Sequence, residues 1–385
     1  MRQKDKIVSN RLKNGSTAKT LAGLATIDTV LFRETIFVTG FPGFIASRLV
    51  EKLARSEVQF FLLVQPQFVE QSMAMVESIS EETATPLECF SIIEGDIREP
   101  HLGASEEDLE AIRREVTTVF HFAAVYDLGI DKETALSVNL EGTRNVNELV
   151  GEIANLRRYN YISTCYVAGE RQGRILETEL EHSAGFKNFY EESKYLAELE
   201  VERLKNKLPI TIFRPSVVVG DSKSGETAKY DGIYYLIQYL RKAPIILRVL
   251  NVGNKRVRLN LVPVDFVVDS LAALSDDEEA TGKTLAIADP DPLTTAELFD
   301  SIAVALTGRK SEFAPSVALT KWFLNTSISP VITGLPHYGV PYFFIEQEYD
   351  TAEASKLLKK HGIECPRFSS YVENLIDFVE ENPEL

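Results

Sequence analysis

Gly40 and Gly43 stand between a short apolar run, Thr35–Thr39, and an amphipathic one beginning at Ile45, and this arrangement restricts the fold more than any other feature of the chain. The first run has the length and composition of a buried strand, and the spacing of the second predicts a helix over Ile45–Leu53. Gly40 permits the tight turn between them, Gly43 lets the backbone come close to a diphosphate, and the small Ala46 lets helix and strand pack closely. The start of the helix then offers unpaired N–H groups and a positive dipole end to an anion. A plain glycine turn is the competing reading, and the flanking strand and helix count against it.

Apolar runs and helical patterns alternate through the next 170 or so residues, in the rhythm of βαβ units. Phe60–Val64, Phe90–Asp96, Thr118–Ala124, Tyr159–Thr164 and Pro209–Pro215 read as further strands, with helical patterns over Asp108–Val116, Ala135–Asn155 and Glu191–Asn206. The pattern is that of a doubly wound, parallel α/β sheet of the Rossmann type. Ligands of such sheets bind at the carboxyl ends of the strands, where Gly40, Asp96, Ala123, Thr164 and Pro215 fall.

Within the last of those helical patterns, Tyr190 and Lys194 stand four residues apart and share a face. A free phenol, with a pKa of about 10, is a poor acid–base group at neutral pH, and a neighbouring cation favours its ionised form. An exposed helix gives the same spacing by chance, so the pair gains meaning only from the glycine turn upstream.

Taken together these residues resemble the extended short-chain dehydrogenase/reductase superfamily, in order from Thr39 to about Leu274. Thr39-Gly40-x-x-Gly43-x-x-Ala46 is similar to its cofactor loop, although alanine stands where extended members more often have glycine. The resemblance implies that Pro42, Phe44 and Ile45 line the cofactor, that Asp96 and Ile97 in Gly95-Asp96-Ile97 reach adenine, and that Ala123 and Ala124 after His121 form the cofactor wall. It makes Asn139 a structural or proton-relay residue and Thr164 the catalytic hydroxyl, with Ser163 in support. Tyr190 would give a proton or hydrogen bond to a carbonyl oxygen, and Lys194 would hold the nicotinamide ribose and lower the tyrosine pKa.

A narrower resemblance is to the thioester-reductase and fatty acyl-CoA reductase, or male-sterility, branch. It rests on Ile162-Ser163-Thr164-Cys165-Tyr166-Val167 and on Arg214-Pro215-Ser216-Val217-Val218-Val219-Gly220-Asp221. Pro215 and Val218 join the expected cofactor contacts. Nucleotide-sugar epimerases and dehydratases usually carry an asparagine and a Gly-Pro after this strand, and this chain has neither. The resemblance implies reduction of an activated acyl thioester, bound to CoA or to a carrier protein, or of a related aldehyde or ketone. A sugar epimerase or dehydratase and a cofactor-binding sensor without turnover are the alternatives. Arg214 is left open between a phosphate contact and a partner for a carboxylate.

At the end of the second strand, where NAD enzymes place an acid and NADP enzymes an arginine, this chain has Gln65. The resemblance implies NADP(H) in preference to NAD(H). A net charge of −16 disfavours nonspecific binding to nucleic acid. Residues 1–33 run against that balance, with seven basic residues against two acidic, and read as a basic extension. They are either a targeting segment or helices packed on the enzyme. The expected organisation is this extension, a cofactor domain over 34–220 and a substrate lobe over 221–385, with a stretch near 255–290 returning toward the sheet. The lobe has an aromatic stretch at 336–345, read either as core or as an acyl pocket. Cys89, Cys165 and Cys365 show neither disulfide nor metal spacing, and the five histidines form no metal cluster. No run has the ~18 apolar residues of a membrane helix. A reducing, cytoplasmic location is expected, and nothing in the sequence distinguishes a monomer from a homodimer.

Overall fold

A computed structural model describes residues 32–242, 251–311, 313–327, 329–330 and 337–385. The basic extension therefore lies, for residues 1–31, outside the described residues. The elements that build the site are β1 (Glu34–Thr39), α1 (Phe44–Leu53), β2 (Val58–Val64), α2 (Val69–Thr83), β3 (Phe90–Glu94), α3 (Glu106–Glu115), β4 (Thr118–His121), α4 (Lys132–Ala135), α5 (Gly142–Glu152) and β5 (Arg158–Ile162). They continue with β6 (Gly173–Ile175), α6 (Phe189–Glu202), β7 (Ile210–Pro215), β8 (Val217–Val219), α7 (Ile233–Lys242), β9 (Leu261–Pro263), β10 (Thr284–Ile287) and β11 (Gln347–Tyr349).

Seven strands form one parallel sheet in the order β10-β7-β5-β4-β1-β2-β3. The order reverses between β1 and β4, and the crevice beyond their carboxyl ends is where a doubly wound sheet binds ligands. Alternate side chains of one strand feed opposite cores, as a strand's two-residue period requires. Ile36 and Val38 of β1, with Phe60 and Leu62 of β2, join the cluster under α1. Phe37 and Phe61 face the other way, onto the helices Glu106–Glu115 and Gly142–Glu152. Both faces are covered, which explains why these strands read as nearly unbroken apolar runs.

Two parts of the chain beyond residue 220 return to this framework. β10 pairs in parallel with β7, and the helix Val264–Ser275 packs on α1, where Leu49, Val267 and Leu271 are buried together. A separate apolar cluster joins α7 to the helices Thr295–Thr307 and Val372–Glu381 through Tyr234, Ile237, Phe299, Ile302, Tyr371 and Leu375. The helix expected over Ala135–Asn155 runs without a break from Lys132 to Glu152, and contains a π-helical turn at Leu136–Glu141 between α4 and α5. Asn139 lies in this π turn and shares the buried face with Thr143, Val146 and Val150.

Candidate active site

A cavity of about 600 Å³ runs along the carboxyl ends of the central strands. Its floor at β1 is the glycine turn. Gly40 has φ +87°, and a Cβ there would lie 2.7 Å from the Ala123 nitrogen. A Cβ on Gly43 would lie 2.6 Å from the Gly40 oxygen, which accepts the Gly43 N–H at 2.8 Å. The requirement at Gly43 is thus closure of the turn itself, in addition to the expected room for a diphosphate. Helix α1 starts at this turn with no side-chain cap and no acid in its first turn. Its first N–H groups and its dipole are left to face the cavity.

Pro42, Phe44, Ile45, Gln65, Asp96 and Ile97 line one part of this cavity, and Ala123, Ala124, Thr164, Tyr190, Lys194, Pro215 and Val218 line the rest. Two residues named from sequence lie behind the wall. Thr39 is fully buried, accepts the Ala123 N–H at 3.2 Å and meets His121 Nδ1 at 2.7 Å. With its proton given to that nitrogen, His121 donates from Nε2 to Thr143 (3.1 Å), whose hydroxyl donates to the Asn139 carbonyl (2.7 Å). Burial, with Lys194 nearby, lowers the His121 pKa to about 3, so the ring is neutral throughout the useful pH range.

Asn139 holds the wall in place. Its side chain accepts the Val125 N–H at 2.9 Å and donates to Val125 O and to Ser193 Oγ, and Ser193 donates in turn to the Tyr190 carbonyl. The loop after β4 is thereby tied to the helix that carries Tyr190 and Lys194. That helix, α6, is capped by Asn188, which accepts the Glu191 N–H at 3.0 Å.

Tyr190 and Lys194 do face one cavity, yet their electrostatics differ from expectation. Burial pushes the Tyr190 phenol well above its ordinary range, and the neighbouring Thr164 hydroxyl pulls it back in part. Lys194 donates to Ile162 O at 2.9 Å and Tyr161 OH at 3.2 Å, with its ammonium 4.7 Å from the Tyr161 ring centre. The predicted lowering of the tyrosine by the lysine is not found; Thr164 is the group that opposes burial. Burial lowers Lys194 itself to about 8, opposed by Glu198.

Glu198, one helical turn beyond Lys194, organises the buried polar groups beneath the site. It accepts Ser163 Oγ and pairs with Arg214, whose Nε lies 2.9 Å from Oε1. Arg214 spends its remaining donors on the carbonyls of Glu177 and Glu179. The question left open by the sequence is resolved: Arg214, on β7, pairs with a carboxylate, that of Glu198 on α6. Cys165 is buried beside it, donates to the Arg214 carbonyl, and has its thiol pushed up by burial. It is inert as a nucleophile.

At the far end of the cavity Gln65 donates to Asp96 Oδ2 at 2.7 Å, and Arg98 grips the same carboxylate through Nε and Nη2. Burial pushes the Asp96 pKa up, and the hydrogen bonds from Arg98 and Gln65 outweigh it, so the group stays ionised. Arg98, in the loop after β3, is thus a cation two residues from Asp96 and on the carboxylate that Gln65 touches.

Tyr126 was not foreseen either. Its ring meets that of Tyr190 edge to face, with centroids 5.1 Å apart, and Lys229 sits 4.6 Å above it. Behind this pair a second cavity of about 90 Å³ is lined by Tyr166, Tyr235, Leu259, Tyr338, Tyr342 and Phe343. Tyr126, Tyr166, Val217, Lys229 and Asp231 border both cavities. In the polar segment Asp221–Thr227, after β8, Ser222 donates to Asp265, and Thr227 lines the large cavity.

A profile of the male sterility protein family matches residues 38–271, more than half of the chain. The fatty acyl-CoA reductase wat of Drosophila melanogaster is 28% identical over 277 residues, which cover 62% of this chain and 53% of that protein. The chain spans about half the length of the relatives of this kind that it matches. Among solved structures, the terminal R domain of the myxalamid PKS-NRPS pathway superposes with a TM-score of 0.77 at 22% identity, covering 91% of this chain and 92% of that one. A thiolation-reductase di-domain from an archaeal non-ribosomal peptide synthetase gives 0.72 at 18% identity, covering 91% and 76%. At these identities the two structures speak for the fold alone.

Proposed function

The chain belongs to the male sterility protein family, and on that footing we propose that it reduces an acyl thioester or the related aldehyde with a nicotinamide cofactor, using Thr164, Tyr190 and Lys194. The observation that carries this reading is the placing of Thr164, Tyr190 and a buried Lys194 in the lining of one cavity, which begins at the Gly40–Gly43 turn. A binding protein without turnover has no need of a buried phenol and hydroxyl aimed at a shared point.

The residues fit the cofactor along the whole cavity. The tight turn at Gly40 and Gly43, where a Cβ on either residue would meet main chain, and the uncapped start of α1 suit a diphosphate. Asp96, Ile97 and Gln65 would receive the adenosine end, and Lys194 the ribose beside the reacting carbon. The bound cofactor supplies the hydride, and the remaining demands fall on the chain. Tyr190 gives its proton to the carbonyl oxygen as charge develops there, and Thr164 holds that oxygen by a hydrogen bond. Its raised pKa keeps Tyr190 protonated, as a proton donor requires. For a thioester the product of this first addition is a hemithioacetal, which expels the thiol to leave an aldehyde.

NADP(H) is the proposed form, supported by the absence of an acid at position 65 and by the Arg98 guanidinium, 46% exposed, on the carboxylate that Gln65 also touches. The aromatic cavity behind Tyr126 is the proposed acyl site, since apolar linings with few polar groups are usual for such ligands. The thioester would arrive on CoA or on a carrier protein. The sugar-nucleotide reading loses its one anchor, because Arg214 is committed to Glu198.

The test is a panel assay following NADPH and NADH oxidation with acyl-CoAs of increasing length, aldehydes, ketones and UDP-sugars. Consumption of a medium- or long-chain thioester or aldehyde is expected. Turnover of a sugar nucleotide alone, with no carbonyl reduction across the panel, would overturn the proposal.

A further inference from the structure

The helix Val317–Leu324 is built inside out. Only Thr320 and Leu324 of its side chains are buried. Trp322 is 68% exposed and Leu319, three residues earlier and on the same face, 54%. Phe313, just before the helix, is 58% exposed. Single exposed apolar residues are ordinary, but an outward indole and leucine on one helix face, with an outward phenylalanine six residues before Leu319 in sequence, call for a covering.

The charges around the patch suggest what covers it. Residues 309–325 hold Arg309, Lys310 and Lys321 against one acid, Glu312, in a chain whose net charge is −16. All three cations are exposed, and none forms an ion pair among the described residues. Aromatic and aliphatic side chains framed by lysine and arginine match the headgroup region of an anionic lipid layer, where an indole sits at the interface and cations meet lipid phosphates. Place adds a further argument. Lys321 lies 5.6 Å from the ring centre of Phe344, whose neighbour Phe343 lines the second cavity, and Tyr338, 42% exposed, lines it as well.

We propose that the face formed by Phe313, Leu319 and Trp322, with Arg309, Lys310 and Lys321, seats reversibly on an anionic lipid surface. The contact stands on the patch alone; only its meaning, access for a lipid-dissolved chain to the cavity behind Tyr126, rests on the acyl reading above. Such a contact is a surface one by its nature, and salt weakens it by screening.

Trp322 is the one tryptophan of the chain, so its emission reports this face without a label. The full chain, without cofactor or substrate, is mixed with vesicles of phosphatidylcholine alone and of phosphatidylcholine with phosphatidylserine, and followed by flotation and by tryptophan fluorescence. Flotation and a blue shift are expected with the anionic vesicles, both reduced by salt. Leu319→Glu combined with Lys321→Glu should lower the partition coefficient roughly tenfold or more, with an unchanged circular dichroism spectrum. Trp322→Glu should act alike in flotation. Absence of flotation with anionic vesicles at low salt would overturn the proposal. So would flotation with an unshifted emission, or with undiminished binding of the variants, since another part of the chain, residues 1–31 included, would then make the contact. A dimer in sedimentation that Leu319→Glu dissolves would assign the face to a second copy and overturn it equally. None of these readouts uses turnover, so failure here leaves the reductase reading to its own test.

Discussion

The ammonium of Lys194 lies 2.9 Å from the main-chain oxygen of Ile162, at the carboxyl end of β5, and its charge is sustained there by a strand end and by Glu198 across the helix turn. Burial lowers its pKa to about 8, against about 10.4 for an unfolded lysine. Between these values the unfolded chain holds more protons than the folded one, so this group makes stability rise with pH across that window. The protonated fraction in the folded protein falls over the same range. Cofactor affinity should therefore decline as pH rises through about 8, and Lys194→Met should lose both affinity and turnover. Calorimetric titration of cofactor at several pH values checks this; an affinity flat between about pH 7 and 9 would remove the ribose role from Lys194.

Tyr190→Phe keeps the ring that packs against Tyr126 and deletes only the hydroxyl, which faces the cavity that Thr164 also lines. Cofactor binding should persist and kcat should fall roughly 100-fold or more, the usual weight of a general acid. Near wild-type kcat with any verified substrate would reject the assignment.

The sheet was legible because its strands are buried on both faces and carry their glycines at the ends. Gly40, Gly43, the β-branched run that precedes them and the amphipathic run that follows needed no tertiary information. Lys194 and Tyr190 were placed by helical period, and Asp96, Ala123 and Thr164 by their position after strands. What period cannot give is which groups meet across the molecule. Glu198 was within reach of reasoning, being one turn beyond Lys194 on the same face, but its pairing with Arg214 and Ser163 depends on the β5–β7 register. The π turn at Asn139 widens a helix without any residue type that announces it. Tyr126 sits in a loop with no pattern at all, and its meeting with Tyr190 is a product of the fold. The expectation that Lys194 tunes Tyr190 failed because spacing fixes a shared face and says nothing of where an ammonium finds its acceptors.

Gly43 tests the turn. Its backbone lies in an ordinary extended region, φ −60° and ψ 152°, so a substitution there meets steric conflict alone. An added Cβ would stand 2.6 Å from a main-chain oxygen that cannot swing aside. Gly43→Ala should open the turn, costing roughly 1–3 kcal/mol of stability, and Gly43→Val should also abolish measurable nucleotide binding in protein that still folds. Denaturant titration and calorimetry give the two readings. Undiminished affinity in Gly43→Val would show that this turn does not hold the diphosphate.

His121 sets an acid limit on the fold. It is neutral and doubly hydrogen-bonded in the folded protein, with a pKa lowered to about 3, while an unfolded histidine titrates near 6.5. Below about pH 6.5 the unfolded chain takes up a proton that the folded one refuses, so stability present above that value is lost progressively as pH falls toward 3. His121→Gln should be less stable at neutral pH, having lost a hydrogen bond, and should show a shallower decline between these limits. Denaturant midpoints measured at several pH values would show parallel declines if His121 contributes nothing.

Gln65→Arg probes cofactor choice. Gln65 donates to Asp96, which Arg98 already neutralises, so an arginine at 65 would bring a second guanidinium to one carboxylate and leave a fork of donors unspent. A free guanidinium at the end of β2 is placed to take the 2′-phosphate of NADP in a charge-assisted pair. The ratio of kcat/KM for NADPH over NADH should rise in this variant, by roughly tenfold for one new pair of that kind. Arg98→Ala is the complementary change. It releases the Asp96 carboxylate, whose ionised form then repels a phosphate and is free to accept a ribose hydroxyl, so the same ratio should fall. An unchanged ratio in both variants would place the discriminator away from the Gln65–Asp96–Arg98 cluster, and opposite movements as described would place it there.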